Sequence, residues 1–149
     1  MSLFGAIDIS GSGLSAERLR MDVTAENLAN AQSTRGADGQ PYRRKEVVLR
    51  QAAGGFDGAL NTAMGQAAAG STPARGVEVV EIAEDQAPNR MVYDPGHPDA
   101  NADGYVSMPN VDPVTEMVDL IAASRAYEAN VTAMQTAKSM FTKTLDLLK

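Results

Sequence analysis

The residues best suited by type and spacing to do chemistry lie between positions 94 and 110. Asp99, Asn101 and Asp103 alternate, Gly104 follows at the sixth position and Val106 at the eighth, which is how an EF-hand calcium loop begins. The twelfth position, Asn110, has no carboxylate to bind a cation through two oxygens. Proline-rich sequence stands before Asp99 in place of a helix, and Pro109 precedes Asn110. The segment therefore reads as turns whose Asp and Asn side chains cap their own backbone. His97 is the only histidine, close to Asp94 and Asp99. A nucleophilic triad needs a serine in reach, yet no G-x-S-x-G elbow exists and nothing organises a pocket around an Asp94–His97 acid–base pair. His97 reads as a turn residue. The chain has no cysteine, which removes disulfides, thiolate chemistry and Cys-type metal sites. The sequence assigns no catalytic, cofactor-binding or metal-binding residues, and an enzyme is not expected.

Charge is the second chemical signal. Arg43, Arg44 and Lys45 form a basic run, whereas between Glu78 and Asp103 seven acids face the single Arg90. The run reads as a solvated strand edge that discourages aggregation, with attraction to the acidic region of a neighbouring copy as the alternative. The formal net charge of −6 argues against nucleic acid as a partner. No stretch approaches the length of a membrane-spanning helix, and the N-terminus lacks the basic and apolar regions of a cleaved signal peptide.

These residues must be positioned by an α+β chain of 149 residues: long N- and C-terminal helices pairing as a coiled coil, and a small β-rich and loop-rich middle. Residues 1–33 are expected to form the first helix, 34–111 the middle with a mobile 51–75 loop, and 112–149 the second helix. In the first, Ile7, Leu14, Met21 and Leu28 recur every seven residues, although Gly11 and Gly13 weaken the helix. In the second, Asp112-Pro113 reads as an N-cap followed by proline at the first helical position. One seam there runs Leu120, Tyr127, Met134, Phe141, Leu148; the other runs Met117, Ser124, Val131, Lys138, Leu145. Strands are predicted over 42–49 and 76–82, with 90–93 pairing to the latter; 94–113 is predicted as turns. With 5 % aromatic residues the middle offers little core. The seams are expected to be buried by each other or by neighbouring subunits. The expected assembly residues are Ile7, Leu14, Met21, Leu28, Met117, Leu120, Tyr127, Val131, Met134, Phe141, Leu145 and Leu148. The Met residues at helical spacing read as core or interface filler.

Both ends carry a family resemblance. Ser12-Gly13-Leu14-Ser15-Ala16-Glu17-Arg18-Leu19-Arg20-Met21 leads into Asn27-Leu28-Ala29-Asn30-Ala31, and Thr34-Arg35-Gly36 and Tyr42-Arg43-Arg44 follow. Near the other end stand Tyr93-Asp94-Pro95-Gly96-His97-Pro98, Asn110-Val111-Asp112, Glu116-Met117-Val118 and Ala123-Ser124-Arg125-Ala126-Tyr127-Glu128-Ala129-Asn130. In this order the boxes resemble the flagellar rod and hook proteins. That resemblance implies a structural subunit of the bacterial flagellar basal-body rod, polymerising helically in the periplasm to transmit torque. It implies export by the flagellar type III apparatus without a cleaved signal. The implied partners are copies of the chain, other rod proteins, and the basal-body anchoring and ring proteins. A soluble coiled-coil adaptor, or another secretion-system axial component, is the alternative.

Overall fold

A computed structural model describes residues 3–36, 39–52 and 76–146. The expected 51–75 loop and Leu148 therefore lie almost wholly or wholly outside the described residues. The elements run α1 (Leu3–Ala29), β1 (Lys45–Gln51), β2 (Val77–Glu84), β3 (Arg90–Tyr93), β4 (Tyr105–Met108) and α2 (Pro113–Asp146). In sequence, two long helices flank two two-stranded sheets, β1–β2 and β3–β4, so the chain is α+β with long terminal helices.

The start of α2 is set by Asp112. Its carboxylate accepts from the Val114 amide (3.2 Å) and the Thr115 hydroxyl (2.8 Å), satisfying a backbone donor that the helix cannot. Those two donors, Thr115 first, hold the Asp112 carboxyl below the usual aspartate range. No glycine or proline interrupts α2 after Pro113.

The chain divides into two compact units. The first comprises Met1–Arg18, Leu49–Val80 and Arg125–Lys149. Here α1 and α2 approach closely because the crossing residues are small. A β-carbon on Gly13 would sit 3.0 Å from Asn130, and one on Gly11 would sit 3.9 Å from the Met134 methyl. The helix propensity lost at Gly13 is thus exchanged for proximity. Ser12 ties in β2: its hydroxyl donates to the Ile9 carbonyl (2.7 Å) and accepts from the Val77 amide (3.0 Å). The buried apolar residues described in this unit are Ala16 and Ala137.

The second unit comprises Leu19–Val48 and Glu81–Ser124. Val23, Ala31, Val106, Val111 and Ala123 are buried, together with Thr24, Asn27 and Glu116. The pairing expected between 90–93 and 76–82 is not what forms. β3 pairs antiparallel with β4, Arg90 opposite Met108 and Tyr93 opposite Tyr105. The predicted turn region thus contains a strand. The return loop makes this possible: the Asp94 amide donates to the Gly104 carbonyl (2.9 Å) and Gly104 takes φ +80°. A β-carbon there would also come within 2.9 Å of the Tyr93 ring, which meets Tyr105 edge-on at 5.3 Å. β1 and β2 are otherwise close to expectation, although β1 starts at Lys45, after the basic pair.

A buried polar network set among buried valines should resist opening longer than the helix stretches around Ala16 and Ala137. In hydrogen exchange on the full-length chain, amides of Lys45, Val106 and Glu116 are expected to exchange more slowly than those of Ala16 and Ala137. Equal protection would show that the two units open together.

Candidate assembly site

A polar hub holds the second unit together. Glu116 lies one turn into α2 with a side chain 1 % exposed. One carboxylate oxygen accepts from Arg44 Nε at 2.5 Å and the other from Asn27 Nδ2 at 3.0 Å. A carboxylate is tolerated in the interior only when paired and hydrogen-bonded, and both conditions hold here. Arg44 also reaches Asp119 (3.4 Å). The hydrogen bond to Glu116, aided by the carboxylates of Glu116, Glu46 and Asp119, raises the guanidinium above its ordinary value.

Asn27 behaves as a short piece of strand. Its amide donates to the Lys45 carbonyl (2.8 Å) while its oxygen accepts from the Lys45 amide (2.9 Å) and the Tyr42 hydroxyl (2.9 Å). Asn110 caps the adjoining residue by accepting from the Arg44 amide (2.8 Å). α1, the entry to β1, the segment leading into α2 and α2 itself therefore share one network. Burial first, then the charges of Glu26, Glu116 and Glu84, push the Tyr42 phenol up to about 12. Arg44 is thus not part of a solvated edge: Glu116 consumes its charge inside the chain.

The other sequence candidates fall elsewhere. Asp99 accepts from the Thr34 hydroxyl (2.9 Å) and faces Arg35 (3.7 Å). Asn101 accepts from the Asp103 and Tyr105 amides, and His97 Nδ1 accepts from the Asp99 amide. These side chains are used in building the loop between β3 and β4. Among the described residues no three metal-ligating side chains converge. A groove of about 550 Å³ beside the hub is lined by Glu26, Tyr42, Arg43, Lys45 and Glu84, charges of both signs without a nucleophile–base pair.

Of the expected assembly residues, Ile7, Leu14, Met21, Leu28, Leu120, Tyr127, Val131 and Met134 are half-buried; Met117, Phe141 and Leu145 are exposed. The stripe of α2 that the chain buries most deeply is Glu116, Ala123 and Ala137, one residue before the predicted companion seam. Its sequence signal was the recurrence of small or polar residues at 116, 123, 130 and 137. Val114, Val118 and Ile121, exposed at 64, 60 and 55 %, were also missed. They repeat at helical rather than heptad spacing.

Two measurements test the hub. Glu116→Ala strands Arg44 and Asn27 and is expected to cost about 3 kcal/mol in chemical unfolding; the pair Arg44→Met/Glu116→Leu should cost less than the two single changes combined. Because the Tyr42 pKa is raised on folding, its contribution is complete below the unfolded value near 10 and is lost as pH climbs through about 12. The phenolate absorbance titration of Tyr42→Phe should lack a component near pH 12 that the parent chain shows.

Comparison with known proteins places these features in a family. Residues 7–37 match the family described as flagella basal body rod protein, and residues 102–147 match the flagellar basal body rod FlgEFG protein C-terminal family. The chain is 49 % identical over 147 residues to the flagellar basal-body rod protein FlgC of Escherichia coli O6:H1, covering 99 % of this chain and 98 % of the relative. It is 48 % identical over 154 residues to FlgC of Bacillus subtilis strain 168, covering both chains completely. To FlgC of Borreliella burgdorferi it is 40 % identical over 160 residues, covering 100 % and 99 %. The matched segments contain Asn27 of the hub at one end and Asn110 and Glu116 at the other, and the chain belongs to the FlgC family of flagellar basal-body rod proteins, structural subunits of the bacterial flagellum.

Proposed function

We propose that this rod subunit self-assembles helically through its terminal helices, transmits torque in the periplasmic rod, and has no enzymatic activity. It is exported by the flagellar type III apparatus, and its neighbours are copies of itself, other rod proteins, and the anchoring and ring proteins of the basal body. One observation carries the reading: α2 leaves large apolar side chains in solvent at both ends, Met117 at 46 % and Leu145 at 47 % exposed. Its deeply buried stripe is made of Glu116, Ala123 and Ala137 instead. A lone domain has little use for such a distribution, whereas a subunit that completes its burial on assembly requires it. Torque is carried through many side-by-side contacts, and because the same contact recurs at every copy, one substitution alters all of them at once. A heterologous interface that does not close generates the filament.

Because Tyr127 and Met134 are half-buried within the chain, a charge at either disturbs both the fold and the assembly. Met117 separates the two. In cells whose only copy carries Met117→Glu, motility should be lost while the level and thermal midpoint of the protein stay at those of the parent. Normal swimming would overturn the reading. Tyr127→Glu should abolish assembly as well, with a lowered midpoint.

A further inference from the structure

The first two turns of α2 and its last turns differ in a way that selects a partner. Val114, Met117, Val118 and Ile121 are exposed at 64, 46, 60 and 55 % and, at i, i+3, i+4 and i+7, lie on one face. Arg125 and Glu128, of opposite sign, end this stripe. Together the four residues expose roughly 400 Å² of apolar surface, the size of the largest patch on an ordinary monomer. That is about half of the ~800 Å² per partner that a stable pair buries. One such contact does not hold a soluble dimer; a repeated one holds a polymer.

Charge decides what covers it. The second unit, which carries the stripe, contains thirteen acidic and six basic residues. Two such faces repel, so a symmetric stripe-on-stripe pairing is disfavoured. Two of the three cations in the basic run that the sequence offered as the complement are engaged within the chain, Arg44 with Glu116 and Lys45 with Glu26. The far end of α2 presents apolar Met140 (56 % exposed) and Leu145 (47 % exposed), with exposed Lys138 and Lys143 on either side by helical periodicity.

We propose that the Val114–Ile121 stripe of one copy is covered by the Met140–Leu145 end of α2 from a second copy, Lys138 and Lys143 facing the acidic unit. The contact is heterologous: each copy contributes a different surface and keeps one of each free, so addition continues. The inference rests on the assembly reading above and supplies its missing half, the identity of the mating surfaces.

The chain has no cysteine, so an introduced pair reports alone. Full-length Ile121→Cys and full-length Met140→Cys, one carrying a mass tag, are mixed in equal amounts under mild oxidation. The mixed disulfide dimer should exceed either homodimer by about tenfold. Adding Lys138→Glu and Lys143→Glu to the Met140→Cys chain, or raising the salt, should return the products to the statistical mixture. Circular dichroism melting of each variant confirms that these exposed positions leave the fold intact. A statistical mixture in the parent background, an excess of the 121–121 dimer, or no disulfide at all would overturn the proposal. If Met117→Glu still abolishes motility in that case, the assembly reading stands and the stripe is covered by a different rod protein. If Met117→Glu swims normally, both fall.

Discussion

A buried carboxylate that must be satisfied on both oxygens organises the second unit. Glu116 is 1 % exposed and cannot be hydrated, so its charge is tolerable only with Arg44 on one side and the Asn27 amide on the other. Those residues come from three distant parts of the sequence. Meeting the demands of one side chain therefore brings together α1, the entry to β1 and the first turns of α2. Asn27 cannot be exchanged for a close relative without loss. Aspartate would set a second negative charge against Glu116, and leucine would leave the Lys45 amide and Tyr42 hydroxyl without their acceptor. Asn110 stands in the same relation to the Arg44 amide. The Asn-Leu-Ala-Asn box and the Asn-Val-Asp segment before α2, far apart in the chain, are two parts of one network.

In the first unit proximity is obtained by a different means. Gly11 and Gly13 on α1 leave room for Met134 and Asn130 of α2 to come against the α1 backbone. The consequence reaches the surface. When small residues occupy the closest line of approach, large ones flank it and are covered on one side only, as Leu14, Tyr127 and Met134 are. Half-covered residues of this kind are suited to burial in two steps, the first within the chain and the second between copies.

Much of this was legible in the sequence. Asp112-Pro113 announces the start of α2, because an N-cap carboxylate and a residue without an amide proton both suit a helix entry. The absence of glycine and proline thereafter announces its length. The companion seam was harder. Hydrophobic periodicity gives weight to Met117, Val131 and Leu145, while the stripe actually buried carries Glu116, Ala123 and Ala137. A seam of small residues shows itself by proximity, which periodicity does not measure. Arg44 was obscured for a related reason. Three cations at a strand entry look like a solvated edge until an acid 72 residues away, Glu116, is known to be buried against one of them. The β3–β4 pairing escaped because Tyr105–Met108 is short and set among turn residues; its register depends on Gly104 and on the Tyr93–Tyr105 contact.

The division of charge follows from the same accounting of partners. The second unit is strongly acidic, yet its hub uses Arg44 and Lys45 internally, the latter against Glu26. What remains at its surface is an acidic field around an apolar stripe, whereas the far end of α2 is apolar with exposed lysines. The two unlike surfaces lie on one helix of 34 residues, roughly 50 Å of helix at about 1.5 Å per residue. In the assembly proposed above, each surface finds its complement on another copy. There an uninterrupted helix, free of glycine and proline after Pro113, would present a different surface at each end.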